Sequence, residues 1–221
     1  MRENVVKLVG VGRSFDSKLI FRGIDLEVSK GDAVAIQGPS GMGKTTLLRI
    51  IGTLDKPTEG DVYVCGEDVL RLGKSKMAEL RWSSIGFSFQ EPILLPGLSS
   101  LDNVLLPCIP RSGSAEMGRF RLKAIDLLKE LGLEDRADYK PHQLSVGQKK
   151  RVDLARSLIN YPELLIVDEP TTNLDRDSSM IIVSIIKRFL DVRGTVFLTT
   201  HQDRQLLDLS KVKIEIQDYH N

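Results

Sequence analysis

The apolar pattern at the start of the chain predicts strands. Val5–Val9 and Leu19–Val28 are rich in β-branched and other apolar residues, as expected of neighbouring strands. Ala33–Gln37 is a short apolar run that leads into a glycine-rich segment, which is typical of a buried strand. A helix is predicted next at Gly43–Thr53, and a further strand at Asp61–Cys65. This part of the chain therefore combines several strands with a single helix.

The middle of the chain, from about Lys74 to Leu144, has a mainly helical pattern. Four apolar residues recur there at helical spacing, and Gly132 follows them in a suitable place to end the helix. They are Leu122, Ile125, Leu128 and Leu131. Strands and helices then alternate again. The later elements are the strands Leu164–Val167, Thr195–Thr199 and Val212–Ile216 and the helix Asp177–Leu190. This alternation predicts an α/β fold with a mostly parallel sheet, into which the helical segment is inserted.

A glycine-rich segment, GPSGMGKTT at Gly38–Thr46, fits the phosphate-loop pattern G-x-x-x-x-G-K-[ST] between a predicted strand and a predicted helix. Glycines let backbone N–H groups turn toward a polyphosphate, and the helix N-terminus adds a favourable dipole. Lys44 supplies a positive charge for the β- and γ-phosphates, and the Thr45 hydroxyl can bind Mg²⁺. The predicted nucleotide-binding residues are Gly38, Ser40, Gly41, Gly43, Lys44, Thr45 and Thr46. This motif alone leaves kinases, GTPases and ATPases open.

Two acids, Asp168 and Glu169, directly follow the apolar strand Leu164–Val167. A buried strand holds such carboxylates rigidly at its carboxyl end, where ligands bind in open α/β sheets. Asp168 is suited to bind Mg²⁺, and Glu169 to orient or deprotonate an attacking water. A kinase needs no base for water because its nucleophile is the substrate, so the adjacent acid favours hydrolysis. The competing interpretation is a pair of surface acids that end a strand.

The segment LSVGQ, at Leu144–Gln148, lies between the phosphate loop and the acid pair. In that position it resembles the LSGGQ signature of ABC transporter ATPases. The resemblance implies that Ser145, Gly147 and Gln148 of one subunit cover the γ-phosphate held by the phosphate loop of another. Val146 replaces the usual glycine and reduces backbone freedom, without removing the donors on either side. Ser145 is also suited to cap a helix, and both roles are compatible.

Further positions match other motifs of the same family. Gln90 resembles the glutamine that senses Mg²⁺ and water, and His201 the switch histidine that contacts the γ-phosphate. Asn173–Asp175 resembles the segment that crosses the dimer interface, where Asp175 lies near the nucleotide. Phe15 takes the place of the aromatic residue that stacks on adenine, although a core phenylalanine at a strand end fits the sequence nearly as well. The resemblance therefore implies that Glu169, His201, Gln90 and Lys44 are catalytic.

The resemblance covers nearly the whole chain and implies one ABC ATPase domain over residues 1–221. Its expected parts are a P-loop NTPase core with a mostly parallel sheet, an N-terminal antiparallel β subdomain, and a helical insertion at approximately 91–160 that carries the signature. The implied ligands are ATP and Mg²⁺, with Thr45, Gln90 and Asp168 around the metal. The implied partners are a second copy of the chain, with ATP between the two, and an integral membrane permease. The expected location is cytoplasmic, on the inner face of the cell membrane.

The stretch Leu80–Pro107 is more particular. It resembles the lipoprotein-releasing (LolD), macrolide-export (MacB) and FtsE group, whose members transmit ATP-driven motion to a permease. That group usually has glycine where Thr172 stands and two glutamines where Lys149 and Lys150 stand. We interpret Lys149–Arg151 as a solvated basic helix face. The loop after Gln90 is apolar, which favours either contact with a permease or burial in the local core; its apolar residues are Ile93, Leu94, Leu95 and Leu98.

Composition excludes several classes of function. Lys and Arg total 31 against 30 Asp and Glu, so no basic surface for nucleic acid is indicated. Cys65 and Cys108 are far apart and in no metal-binding spacing, which predicts two reduced core thiols. No apolar run approaches the length of a signal peptide or a spanning helix. Any membrane contact is therefore expected to pass through another protein.

Three other functions remain as alternatives. A soluble ABC ATPase of DNA repair, translation or iron–sulfur assembly would lack a permease, but the coiled coils or tandem domains of the first two are not seen here. A regulatory nucleotide-binding module would lack turnover, which the Asp168–Glu169 pair argues against. The ATPase of a small-molecule importer is the nearest competitor, although such proteins often carry further sequence after the last strand.

Overall fold

The computed structural model describes residues 4–16, 18–109, 113–200 and 203–220 of the chain. His201 lies outside these described residues. The strands, in chain order, are β1 Asn4–Phe15, β2 Lys18–Ser29, β3 Ala33–Gln37, β4 Glu59–Val64, β5 Glu67–Asp68, β6 Ile85–Ser88, β7 Leu164–Val167, β8 Thr195–Thr199 and β9 Val212–Glu215. The helices are α1 Lys44–Ile51, α2 Lys74–Ser84, α3 Ser100–Leu105, α4 Ser114–Glu130, α5 Val146–Leu158, α6 Arg176–Asp191 and α7 Arg204–Leu209.

An antiparallel sheet of four strands, in the order β2-β1-β4-β5, forms the N-terminal β subdomain. Both β1 and β2 extend beyond the predicted runs. The apolar pattern of β1 breaks at Gly10, but the strand continues through a register shift between Leu8 and Val11. The N–H of Gly10 donates to Oδ1 of Asp25 at 2.8 Å, which satisfies a backbone donor at the irregular position. A bulge of this kind lengthens a strand past the point where its alternation fails.

A second sheet has five parallel strands in the order β6-β7-β8-β3-β9. Successive side chains of a strand point to opposite faces, and in β3 they differ in size. Ala33 and Ala35 pack into the core shared with the helices, whereas Val34 and Ile36 pack into the core shared with the antiparallel sheet. The parallel sheet is therefore covered on both faces, as the continuous apolar runs predicted.

The segment after Lys74 is mainly helical, as predicted, but it also contains strand β6, which the sequence did not indicate. Ile85–Ser88 lies at the edge of the parallel sheet, where it pairs with β7. Its four residues include a glycine, at which a Cβ would lie 2.1 Å from the carbonyl oxygen of Ser157. Close packing against α5 therefore requires glycine at position 86. The four residues of β6 are too few to show a clear strand pattern in the sequence.

Helix α4 forms where helical spacing predicted it and ends at Glu130, two residues before Gly132, whose φ is +65°. The N–H of Leu133 donates to the carbonyl of Leu128 at 2.8 Å, as in a glycine-terminated helix end. Leu128 and Leu131 are buried, but Leu122 is 67% and Ile125 38% exposed. The buried face is completed instead by Ala124 and Leu127. The predicted helix is thus correct, whereas half of the predicted apolar stripe faces solvent.

Neither cysteine is in a disulfide; Cys108 is buried and Cys65 is partly exposed. Cys108 donates to Oδ1 of Asn160 at 3.2 Å, and burial raises the pKa of its thiol to about 11. Only one of the two thiols is therefore a core residue. Within the described residues, no helix is both long and apolar enough to cross a bilayer.

Candidate functional site

Four strands of the parallel sheet end at one edge, and the segments after them carry the predicted motifs. β3 leads into the phosphate loop, β6 toward Gln90, β7 into Asp168 and Glu169, and β8 ends at Thr199. A cavity of about 270 Å³ lies between these segments; its lining residues are Ile20, Ser40, Gly41, Gly43, Lys44, Thr45, Thr46, Gln90 and Glu169. The carboxyl edge of the sheet therefore brings together residues that belong to separate motifs.

The phosphate loop wraps around the Lys44 ammonium. Lys44 is 5% exposed, and its Nζ donates to the carbonyl oxygens of Gly38 at 2.9 Å and Pro39 at 3.0 Å. Burial lowers the pKa of Lys44, while the charges of Glu169 and Asp168 oppose that shift. The loop thus places a cation in the cavity, where a phosphate can replace the carbonyl partners.

Gly43 is the last residue before α1, and its backbone requires glycine for two reasons. Its φ is +93°, in the left-handed region that other residues rarely adopt. A Cβ at this position would also lie 2.5 Å from Cγ2 of Ile20 in the neighbouring strand β2. The sequence pattern therefore has a packing cause as well as a conformational one.

Asp168 joins the phosphate loop to two strand ends. Its Oδ2 accepts from the Thr45 hydroxyl at 2.7 Å, and its Oδ1 accepts from the Thr199 hydroxyl at 2.5 Å. The same Thr199 oxygen accepts from the backbone N–H of Glu169 at 2.9 Å. Thr199 is fully buried, so the carboxylate of Asp168 is held on one side by a dry, fixed hydroxyl. The sequence did not single out Thr199, although its place at the end of an apolar strand next to Thr200 was visible.

The Thr45–Asp168 pair fits a magnesium ion that arrives with the nucleotide. A hydroxyl and a carboxylate are hard oxygen ligands, and Mg²⁺ commonly takes one or two of them and completes its shell with waters and phosphates. Among the described residues, no group of three or more acidic, histidine or cysteine side chains could hold a metal alone. The chemistry of the site therefore suits a phosphate-bound Mg²⁺ better than a permanently bound one.

Glu169 lies in a constrained backbone conformation with φ of +44° and is 8% exposed. Its Oε2 accepts from the Gln90 amide at 3.2 Å and from the Thr172 hydroxyl at 3.2 Å. A positive φ at a non-glycine residue persists only where its surroundings hold it, and such residues are frequent at active sites. The structure therefore brings Gln90 to the carboxylate predicted to act on water.

The interpretation of Lys149–Arg151 as a solvated face is wrong for its last two residues. Lys150 is 6% exposed, and its Nζ donates to the carbonyl oxygens of Glu169 at 2.8 Å and Thr172 at 3.0 Å. The Arg151 guanidinium donates to the carbonyl of Leu131 at 2.8 Å. These side chains bond to carbonyl groups of segments distant in sequence, which three consecutive basic residues do not reveal.

Asp153 and Arg156 are further structural residues that the sequence did not indicate. Asp153 is fully buried, and its Oδ2 accepts from the Ser88 hydroxyl and from the N–H of Phe89, both at 2.9 Å. Burial raises the pKa of Asp153, and the ion pair with Arg156 opposes that shift. Arg156 also donates to the carbonyl of Ile93 at 2.6 Å. The i, i+3 spacing of the pair was the available signal. Together the pair joins α5 to both sides of Gln90.

The signature residues begin helix α5. Ser145 is its N-cap and forms a reciprocal capping box with Gln148, at 3.2 and 2.9 Å. Gly147 packs so closely on α6 that a Cβ would lie 2.9 Å from Oγ of Ser178. Val146 is 57% exposed, so its replacement of glycine meets no local obstruction. None of these residues lines the phosphate cavity of the same chain.

Asp175 and Phe15 lie apart from that cavity as well. Asp175 caps α6 by accepting from the N–H of Ser178 at 2.8 Å and from its hydroxyl at 3.0 Å. Phe15 is 45% exposed at the end of β1, with the Arg13 guanidinium 4.2 Å from its ring centre. Its interpretation as a core residue is therefore wrong, and stacking on adenine stays a prediction. The predicted contact of His201 also stays a prediction, since this residue is outside the described ranges.

A larger cavity of about 590 Å³ lies against α4 and α6, away from these motifs. Lys123 on its wall donates to the carbonyls of Leu158 and Ile159 at 2.9 and 2.8 Å, and burial lowers its pKa to about 7. These bonds satisfy carbonyls at the end of α5. The larger cavity is therefore not the predicted phosphate site. That site is the smaller cavity at the carboxyl ends of the strands.

Comparison with known proteins agrees with the geometry. The sequence profile described as ABC transporter matches residues 21–172. The lipoprotein-releasing system ATP-binding protein LolD of Bacteroides thetaiotaomicron is 39% identical over 97% of this chain and 97% of its own length. The macrolide export ATP-binding/permease protein MacB of Pectobacterium atrosepticum is 40% identical over 99% of this chain, which spans 34% of that protein.

Solved structures agree as well. A dimeric post-hydrolysis state of the ATP-binding cassette MJ0796, bound to ADP and Pi, has a TM-score of 0.88 at 36% identity and covers 96% of this chain and 94% of its own. The predicted α/β fold, with its parallel sheet, antiparallel sheet and inserted helices, is thereby confirmed. With the profile spanning residues 21–172 and the phosphate loop, the acid pair and Gln90 meeting at one sheet edge, the chain belongs to the ABC transporter family, as an ATP-binding and ATP-hydrolysing subunit.

Proposed function

We propose that two copies of the chain bind two ATP molecules between them and that their closure drives a membrane permease of the lipoprotein-releasing and macrolide-export group. The observation that carries this proposal is the separation, within one copy, of the phosphate cavity from the helix N-terminus suited to cap it. Ser145 and Val146 at that terminus are exposed, so they are accessible to a nucleotide held by a partner. A helix N-terminus favours an anion, and a terminal phosphate is the anion at hand.

In this proposal one copy contributes the residues that hold and hydrolyse the nucleotide. Lys44 and the N–H groups of the phosphate loop would bind the β- and γ-phosphates. Thr45 and Asp168, with Gln90 nearby, would hold Mg²⁺, which neutralises charge on the phosphates. Glu169 would orient the attacking water toward the γ-phosphate and accept its proton, because the carboxylate is fixed at the cavity wall. His201 is proposed to contact the γ-phosphate, and Phe15 the adenine.

The second copy would complete the site. Ser145, Gly147 and Gln148 would face the γ-phosphate, and Asp175 would lie at the interface. Closure then depends on a ligand that both copies share, and hydrolysis removes that ligand. A two-state switch of this kind needs only different affinities of the open and closed states for the terminal phosphate.

An apolar groove of about 400 Å³ supports a permease contact on the face that carries the Gln90 loop. Ile93 is 61% and Leu95 43% exposed along it, and both follow Gln90 closely in sequence. The sequence left docking and local burial open for this loop. Leu94 packs partly against the helical core, whereas Ile93 and Leu95 remain exposed, which favours docking for these two. A cytoplasmic position at the inner membrane face follows from this partner.

The groove can be tested apart from catalysis. Ile93→Asp is expected to abolish co-purification with a membrane permease, because a charge enters the apolar contact, while nucleotide binding by the isolated chain stays unchanged. Ile109→Asp is a matched control, since Ile109 is also exposed, at 57%, but outside the groove. A permease with few spanning helices and a large outer domain would support the proposed group. Recovery of a many-helix importer permease would favour the importer alternative, and loss of binding in both variants would reject the groove.

A further inference from the structure

Lys150 and Thr172 meet in the structure although they lie far apart in sequence. The Lys150 ammonium donates to the carbonyl oxygen of Thr172 at 3.0 Å and to that of Glu169 at 2.8 Å. The Thr172 hydroxyl donates to Oε2 of Glu169 at 3.2 Å. Lys150 therefore bonds to the backbone that carries Glu169, and Thr172 bonds to the Glu169 carboxylate.

The burial of Lys150 needs compensation. An ammonium in the protein interior is stable only where hydrogen bonds and opposite charges replace its water. Lys150 is 6% exposed and has two carbonyl partners. Burial lowers its pKa, while the charges of Glu169, Asp168 and Asp153 favour the protonated form. The cation thus sits among the carboxylates of the site and bonds to the main chain rather than to any of them.

The segment that Lys150 holds is a tight and strained turn. Glu169 has φ of +44°, and the N–H of Thr172 points back to the carbonyl of Glu169 at 3.4 Å. That carbonyl also accepts the Lys150 hydrogen bond. The Lys150 ammonium bonds to carbonyl groups at both ends of this turn and therefore opposes relaxation of the strained φ of Glu169. Such a relaxation would rotate the carboxylate away from the cavity.

Thr172 adds a second constraint at the side chain. Its hydroxyl and the Gln90 amide converge on the same oxygen of Glu169. Gln90 lies in the loop tied to α5 by Asp153 and Arg156, whereas Thr172 belongs to the turn itself. The carboxylate is therefore held from two independent segments, and loss of either donor is expected to loosen its orientation.

We propose that Lys150 and Thr172 are positioning residues that hold Glu169 in the orientation needed to activate water. The inference rests on the proposed role of Glu169 and adds a device that sets its geometry. It goes beyond the nucleotide site, because neither residue lines the phosphate cavity among the described residues. Both act through Glu169 and leave the phosphates to other groups.

The test separates turnover from binding. Lys150→Met keeps the length of the side chain and removes its donors, so kcat for ATP hydrolysis is expected to fall about 10-fold, since small displacements of a catalytic group have effects of that size. The Kd for ATP is expected to stay within about twofold. Thr172→Val should act in the same direction, and Thr172→Ser should restore kcat because it restores the hydroxyl. Lys149→Met removes the same charge one position earlier and should leave both constants unchanged.

A second measurement protects the test against misfolding. In a Glu169→Gln background, Lys150→Met is expected to cause no further loss of single-turnover hydrolysis, because its effect passes through Glu169. Melting temperatures identify any variant that merely unfolds, and Thr172→Val supplies an independent, partly exposed site. Equal losses from Lys150→Met in both backgrounds, or an unchanged kcat in Lys150→Met and Thr172→Val, would overturn the proposal. If the Glu169→Gln variant hydrolysed ATP as fast as the wild type, the role of Glu169 in activating water would itself be rejected.

Discussion

The hydroxyl of Thr45 donates to Oδ2 of Asp168 at 2.7 Å across a sequence separation of 123 residues. This bond joins the phosphate loop to the end of β7, and Thr199 extends it to the end of β8. Three segments from different parts of the chain therefore meet at one carboxylate. Because the bonds are buried or partly buried, each is expected to contribute both to stability and to the geometry around the nucleotide.

Thr199→Val is expected to reduce the free energy of unfolding by about 2 kcal/mol, because the buried N–H of Glu169 and one oxygen of Asp168 lose their partner. Urea denaturation of the chain without nucleotide measures this loss. Thr199→Ser keeps the hydroxyl and removes one buried methyl group, so the free energy of unfolding should fall by only about 1 kcal/mol. A valine variant as stable as the serine variant would show that the hydroxyl does not hold the strand ends together.

Glu169→Gln is expected to slow ATP hydrolysis by about 10²-fold or more, because an amide cannot accept the proton of water. The amide keeps an oxygen for the Gln90 and Thr172 donors, so nucleotide binding should persist. Phosphate release measures the rate, and size-exclusion chromatography with ATP should show a trapped dimer. Glu163→Gln makes the same chemical change at a surface acid paired with Lys30 and should leave turnover unchanged. Turnover of Glu169→Gln close to that of the wild type would exclude Glu169 as the base.

Ser145→Arg is expected to abolish ATP-dependent dimerisation, because a bulky cation would occupy the place proposed for the partner's γ-phosphate. ATP binding to the single chain should persist, since Ser145 does not line the cavity of its own copy. Sedimentation with and without ATP, beside a fluorescence titration with ATP, measures both properties. Ser184→Arg places the same side chain at an exposed serine of α6 and serves as the control. If Ser145→Arg also prevented the monomer from binding ATP, the two-copy site would be contradicted.

Cys108 is expected to react with iodoacetamide at pH 8 about 100-fold more slowly than an ordinary exposed thiol, because only the thiolate reacts and burial raises the pKa to about 11. Mass spectrometry of the Cys65→Ser variant, native and then in denaturant, measures this difference. The pKa also fixes the sign of a stability effect. Between about pH 9 and pH 11 the unfolded thiol loses its proton and the folded one keeps it, so stability should fall as pH rises. Rapid native labelling at pH 8 would show that the thiol is accessible.

The sequence predicted those parts of the site whose pattern is local. The phosphate loop and the acid pair are contiguous and have a fixed place relative to a strand, so their residues and their neighbourhood could be predicted together. The convergence of Gln90 and Glu169 came from the family resemblance, and their hydrogen bond is consistent with it. Their catalytic roles stay predictions until the variants are measured.

The sequence could not predict contacts made across the fold. Lys150 stands between two other basic residues, and its partners lie 19 and 22 residues away. Asp153 is similar, because it bonds to Ser88 at a separation of 65 residues. Only tertiary packing distinguishes such buried polar groups from a solvated helix face. Leu122 illustrates the converse, since helical spacing locates a stripe but does not say which adjacent stripe faces the core.

Asp153 and Arg156 have a consequence for how the parts of the molecule move. Through them the helix that begins with the signature is bonded before Gln90, at Ser88 and Phe89, and after it, at Ile93. A rotation of that helix is therefore expected to move the loop after Gln90, with its exposed apolar side chains, in the same direction. The end proposed to face a phosphate and the end proposed to face a permease are thus joined by direct hydrogen bonds, so that a displacement of one is expected to move the other.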